Sequence, residues 1–249
     1  GRPGPVLVDI TKDATGNKCE FEPEIQDTSV ERKIESDENA FKAAIEIIEG
    51  AKRPLIYAGG GVIAAEAAEE LKRFRAKIDS PVTLSLMGLG AFPASDKAFT
   101  GMIGMHGTKT TSLAISECDL LIAVGARFSD RVTCNIQTFA PNAKVLHIDT
   151  DRAEIDKNVK TDHSIIGDAK LVLERLAKTV KQQHHDEWMN KIYEWESEYP
   201  IHQPYDGVFT PQCVMETVNA AIGRDSIATT DVGQHQMWAA QYLMVERPR

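Results

Sequence analysis

A cationic surface is what this sequence most plainly lacks. Its 249 residues hold 28 Lys and Arg against 37 Asp and Glu, a net charge of −9, which argues against a nucleic-acid partner. No apolar run approaches the ~20 residues that a membrane-spanning helix needs, so no membrane partner is expected, and no signal peptide is visible. Cysteine is sparse: Cys19, Cys118, Cys134 and Cys213 are scattered without a CxxC pair. That spacing excludes a zinc ribbon or a disulfide framework and fits reduced thiols in a cytoplasmic compartment. Internal repeats and low-complexity tracts are also missing. An initiating Met is absent: the chain opens Gly1-Arg-Pro and stops at Arg247-Pro-Arg249 after a helix-like run, and it reads as an excised piece of a longer protein.

What is present is organised around Asp119-Leu-Leu-Ile-Ala-Val-Gly-Ala-Arg-Phe-Ser-Asp130. Residues 120–124 are apolar without a polar face, as in a strand covered on both sides. Similar runs predict strands at 54–58, 81–86, 144–148 and 163–166, with further strands at 4–10 and 226–230. Helices are expected from Ser36 or Asp37 to Gly50, over 64–77, 109–116, 169–181, 187–197 and 210–221, and after Gly233. The alternation defines an α/β fold, a Rossmann-like parallel sheet flanked by helices, with partial flanking domains. Residues 14–36 are polar and read as a linker.

In such a sheet, ligands bind beyond the carboxyl ends of the strands, so the residues there are the candidates. Gly59-x-Gly61-x-x-Ala64 follows a strand as a relaxed dinucleotide fingerprint, although any tight strand–helix turn uses glycine. The acidic residue expected after the next strand is missing, with Ser85, Leu86 and Met87 in its place, which disfavours a plain NAD site. Arg127 and Asp130 are either a solvated turn or a ligand-facing pair. Gly104-Met-His-Gly-Thr108 is either a structural turn or an anion-binding loop at a helix start. Asp149, Asp151 and Asp168 suit ribose hydroxyls or helix caps better than a metal, since no third ligand is spaced for one. Gly233-Gln-His-Gln236 is either a capped turn or a diphosphate contact.

Taken in order, several motifs resemble one family. They are Gly1-Arg-Pro-Gly-Pro-Val-Leu-Val-Asp-Ile10 with Lys12 and Asp13, Gly104 to Thr108, Gly125-Ala-Arg-Phe with Asp130-Arg-Val132, His147-Ile-Asp149, and Asp231-Val-Gly-Gln-His-Gln-Met-Trp-Ala-Ala-Gln241. The set is similar to the catalytic large subunit of acetolactate synthases, thiamine-diphosphate enzymes that condense two pyruvates, or pyruvate and 2-ketobutyrate, with loss of carbon dioxide.

The resemblance implies the tail of a pyrimidine-binding domain at 1–15, a linker at 16–36, a central FAD-binding domain at 37–180, a linker at 181–209, and the start of a diphosphate-binding domain at 210–249. It places FAD contacts on Arg2, Gly60, Ser85, Leu86, Ile103, Gly104, Met105, His106, Gly125, Ala126, Arg127, Phe128, Ser129, Asp149, Thr150, Gly167 and Asp168. Thiamine diphosphate contacts fall on Gln234 and His235, and a substrate channel on Lys12, Met105, His106, Asp130 and Arg131. It further implies 2-keto acid substrates, a homodimer or tetramer, and a regulatory small subunit. The activating Glu and the magnesium motif would lie outside this stretch. Ser129, Thr11, Thr150 and Cys134 depart from the residues usual in that family, Asp, Pro, Ile and Gly.

Overall fold

The structure, a computed structural model, describes residues 4–21, 31–204, 207–223 and 226–249. Six strands form one parallel sheet: β1 (Pro54–Ala58), β2 (Val82–Leu84), β3 (Phe99–Met102), β4 (Leu120–Val124), β5 (Lys144–Asp149) and β6 (His163–Ile166), in the spatial order β3-β2-β1-β4-β5-β6. That is a doubly wound order whose direction reverses between β1 and β4. β1 and β4 run in register from Pro54 opposite Leu120 to Ala58 opposite Val124, and every residue of both is buried.

Alternation along these strands splits the core into two layers. Ile56, Ala58, Ile122, Val124, Leu146 and Ile148 face helices α2 (Glu38–Gly50), α4 (Ala68–Ile78) and α7 (Ala169–Thr179). Leu55, Tyr57, Leu121, Ala123 and Val145 face α5 (Lys109–Glu117) and α8 (Asp186–Glu198). Helix starts follow side-chain capping: Asp37 accepts from Ala40 N at 2.9 Å, and Thr108 from Thr111 N at 3.1 Å. Within the 181–209 connection, α8 sends Trp188 into the second core layer, where its indole donates to Pro54 O at 2.9 Å.

Several expectations are corrected. The helix expected over 64–77 is two: α3 (Gly60–Ala64) ends as Glu66 turns left-handed, φ 53°, before α4 begins. Residues 99–102, where the apolar runs predict no strand, form the edge strand β3, whose small and polar residues hide its period. Residues 4–10 and 226–230 form no strand. A strand needs a neighbour for its backbone hydrogen bonds, and none pairs with either stretch among the described residues. Lys12–Gly16 instead forms a short exposed helix, α1. The end of the 14–36 linker is fastened to the sheet, with Glu35 N and Ser36 N donating to Ile166 O at 2.8 and 3.1 Å.

Candidate cofactor site at the carboxyl edge of the sheet

The parallel strands deliver most of the candidate residues to one edge. Gly60 follows β1, Ser85 and Leu86 follow β2, and Ile103 to His106 follow β3. Gly125 to Ser129 follow β4, Asp149 ends β5 with Thr150 after it, and Gly167 with Asp168 follow β6. Arg2 lies outside the described residues.

The loop 125–129, at the point where the strand order reverses, has the most distinctive backbone. Three side chains from elsewhere hold three consecutive carbonyls. His147 Nε2 donates to Ala126 O at 3.0 Å, Tyr57 Oη to Arg127 O at 3.0 Å, and Asn158 Nδ2 to Phe128 O at 2.8 Å. Among the described residues, the N–H groups of Ala126, Arg127 and Phe128 donate to no protein group. The Arg127 guanidinium is exposed and makes no hydrogen bond or ion pair there. Backbone donors beside a guanidinium are groups suited to an oxygen-rich anion. The sequence patterns single out neither Tyr57 nor Asn158, and they name His147 in a motif without its role here, since each meets the loop only through the fold.

His147 is fully buried against Phe128, with ring centroids 5.1 Å apart, and its Nδ1 has no partner among the described residues. Burial pushes its pKa down, so the neutral ring persists. Asp149 is also buried, and burial pushes its carboxyl up. Its Oδ1 accepts from Asp151 N at 2.9 Å, while its Oδ2 lies 3.8 Å from His147 Nε2. That carboxyl has acceptor capacity left for a hydroxyl ligand.

Gly59 and Gly61 have a different task from the one their spacing suggested. A Cβ on Gly61 would lie 2.6 Å from Gly125 Cα, and one on Gly59 would lie 2.4 Å from Gly125 O. The two loops therefore touch backbone to backbone. Gly59 N and Gly61 N already donate to Val124 O and Gly125 O, and the helix after them spans only five residues. The expected phosphate cradle at this turn is thus filled by protein.

Gly167 is similarly occupied. Its N–H donates to Asp149 O, and Ile34 lies against it. Asp168 caps α7 through Lys170 N and Leu171 N and pairs with Arg32 at 3.3 Å. Ser85 caps a 3-10 turn, accepting from Gly88 N. Leu86, Met87 and Met105 expose apolar side chains along the same edge.

The expected channel residues are partly assembled. Met105 N donates to Arg131 O at 3.0 Å, and Arg131 Nη1 approaches Met105 Sδ at 3.4 Å. Gly104, at φ 105°, lets the loop pass Arg131 O where a Cβ would come within 2.5 Å. Asp130 and Arg131 open the short helix α6 (Asp130–Thr133). Lys12 sits in α1, and no hydrogen bond or ion pair joins it to this cluster among the described residues. Further along, α9 (Pro211–Ala221) packs with α10 (Gln234–Tyr242). Gln241 donates to His106 O at 2.9 Å, so the end of α10 meets the β3 loop. Gln234 and His235 stand exposed at the opposite end of α10.

A doubly wound parallel sheet with polar groups gathered at its carboxyl edge is an architecture shared by many ligand-binding α/β domains, and sequence comparison gives the family. Residues 41–176, more than half of the chain, match the family model for the thiamine pyrophosphate enzyme central domain, and the chain belongs to that family. Over nearly its whole length it is similar to acetolactate synthase large subunits. It is 44% identical to that of Parasynechococcus marenigrum over 252 residues, covering 98% of this chain and 41% of the relative. It is 43% identical to that of Corynebacterium glutamicum, over 100% of this chain and 41% of the relative. It is 42% identical to a probable acetolactate synthase large subunit of Methanocaldococcus jannaschii, over 100% and 45%. The chain therefore spans less than half the length of these relatives. The resemblance read from the ordered motifs and the parallel α/β fold are both upheld.

Proposed function

We propose that this chain is the portion of an acetolactate synthase large subunit that holds FAD along the carboxyl edge of its sheet and supplies one side of a thiamine diphosphate site. The observation that carries the FAD reading is the loop 126–128. Its carbonyls are tied down, and among the described residues its N–H groups and the Arg127 guanidinium beside them have no hydrogen-bond partner. The pyrophosphate of a dinucleotide suits those donors. Asp149 suits a ribose hydroxyl, and the exposed Leu86, Met87 and Met105 suit a flat, largely apolar ring system. Gly167 and Asp168 contribute by shaping the edge, since their polar groups are engaged within the protein.

Gln234 and His235 offer hydrogen-bond donors for the diphosphate of the thiamine cofactor at the start of α10. When bound, that cofactor supplies the carbanion chemistry that joins two 2-keto acids with loss of carbon dioxide. On this reading the chain's own residues bind and orient, and Arg131 with Met105 shape the substrate approach. The magnesium ion and the activating carboxylate belong to other parts of the whole subunit, as do the contacts of a homodimer or tetramer and of a regulatory small subunit.

Titration of the purified chain into FAD, read by quenching of flavin fluorescence, tests the proposal. Saturable binding is expected, weakened about tenfold or more by Arg127→Ala, as for loss of a charge-assisted contact. An unchanged dissociation constant in the variant removes Arg127 from the site. No saturable binding by the wild-type chain overturns the FAD reading.

A further inference from the structure

A cavity of about 540 Å³ adjoins the β3 side of the sheet, with none of residues 125–129 in its lining. Edge strand β3 forms one wall, the end of α8 with residues 199–202 another, and the end of α10 with residues 243–245 a third. The lining is mostly aliphatic and aromatic, with Leu84, Phe99, Met102, Leu243 and Val245 prominent. A volume of this size suits a drug-sized organic molecule.

One charge-bearing group in the wall stands out. Glu196, on the last turn of α8, is half-buried and makes no hydrogen bond or ion pair among the described residues. Its neighbours on that helix do: Lys191 pairs with Glu117. Among the described residues no Lys or Arg lines the cavity, and Lys109 Nζ stands 6.0 Å from the centroid of the Tyr199 ring in its wall. The imidazole of His202, also in the wall, is engaged by Glu216 at 2.9 Å. Burial alone pushes the Glu196 carboxyl up to about 7, as expected of a carboxylate drawn from water with no cation to meet it. A half-buried carboxylate without a counter-ion costs free energy that a bound cation would relieve.

We propose that this cavity is a binding site for a small organic amine, with its ammonium group on Glu196 and its apolar body between β3 and α10. An ionised Glu196 disfavours carboxylates and phosphates, so an amine is expected to bind here in preference to 2-keto acids. The inference stands on the cavity and Glu196 alone and is independent of FAD binding.

Isothermal titration of the full chain with 4-phenylbutylamine, 4-phenylbutanol and 4-phenylbutyrate tests it. The three probes share an apolar body and differ in charge. The amine is expected to bind about tenfold or more tighter than the alcohol, and the carboxylate weakest. Glu196→Gln should bring amine and alcohol to parity while leaving the alcohol's affinity unchanged. Leu243→Trp, which fills the cavity, should weaken both, and circular dichroism confirms that each variant is folded. Equal affinity for all three probes, no binding of the amine at millimolar concentration, or an amine preference that survives Glu196→Gln would each overturn the proposal.

Discussion

Tyr57 and His147 are buried, yet both shape the surface loop above them by holding its carbonyls. A backbone fixed from below can present its N–H groups without reorganising when an anion arrives. His147 carries a cost for this, because its Nδ1 is buried without a partner among the described residues. Its folded pKa is lowered by burial from the ordinary value of 6.5. The unfolded chain therefore binds a proton that the native ring refuses. The resulting stability is present in full above pH 6.5 and falls as the pH drops from there toward the lowered folded value. Asp149, with its pKa raised, acts in the opposite sense, so the comparison must isolate the histidine. In urea melts, wild type is expected to lose more stability between about pH 7.5 and about pH 5.5, roughly one unit either side of the ordinary imidazole value, than His147→Gln does. Equal losses would show that the ring titrates as freely folded as unfolded.

At the scale of elements, α8 shows how distant sequence completes the sheet. Trp188, Ile192 and Trp195 recur at helical spacing, and all three are buried on the face opposite α2, α4 and α7. Trp188→Ala removes that packing and the indole bond to Pro54 O, so a loss of about 3–5 kcal/mol is expected, or roughly 10 °C in thermal midpoint. A shift under about 2 °C in calorimetry would mean α8 is not integral to the fold. The central strands were legible because buried apolar runs such as 120–124 have few alternatives. Edge strand β3 was not, because Thr100 and Gly101 interrupt its apolar pattern. The candidate edge residues were legible through ordered motifs. The hold on loop 126–128 was hidden, because Tyr57, His147 and Asn158 lie far from it in sequence and join it only through β1, β5 and the connection after β5. The glycines after β1 were legible as glycines but not in their role, since the pattern shared by a phosphate loop and a backbone crossing is the same.

At the scale of the whole molecule, the chain spans less than half of its relatives, and the proposed chemistry needs groups that it is not expected to supply. Supplied with thiamine diphosphate, magnesium and FAD, it is expected to form no acetolactate from pyruvate in a colorimetric assay free of host enzyme. Product in proportion to added chain would show that the activating carboxylate and the metal site are present after all. The central claim is narrower: a dinucleotide lies along the carboxyl edge, on loop 126–128. Amide hydrogen exchange measured with and without FAD tests it most directly. FAD is expected to slow exchange at residues 126–129, with further protection around 85–87, 103–106 and 149–150, and little change on α4, α7 and α8. Protection confined to the helices, or unchanged exchange at 126–128 under saturating FAD, would contradict it.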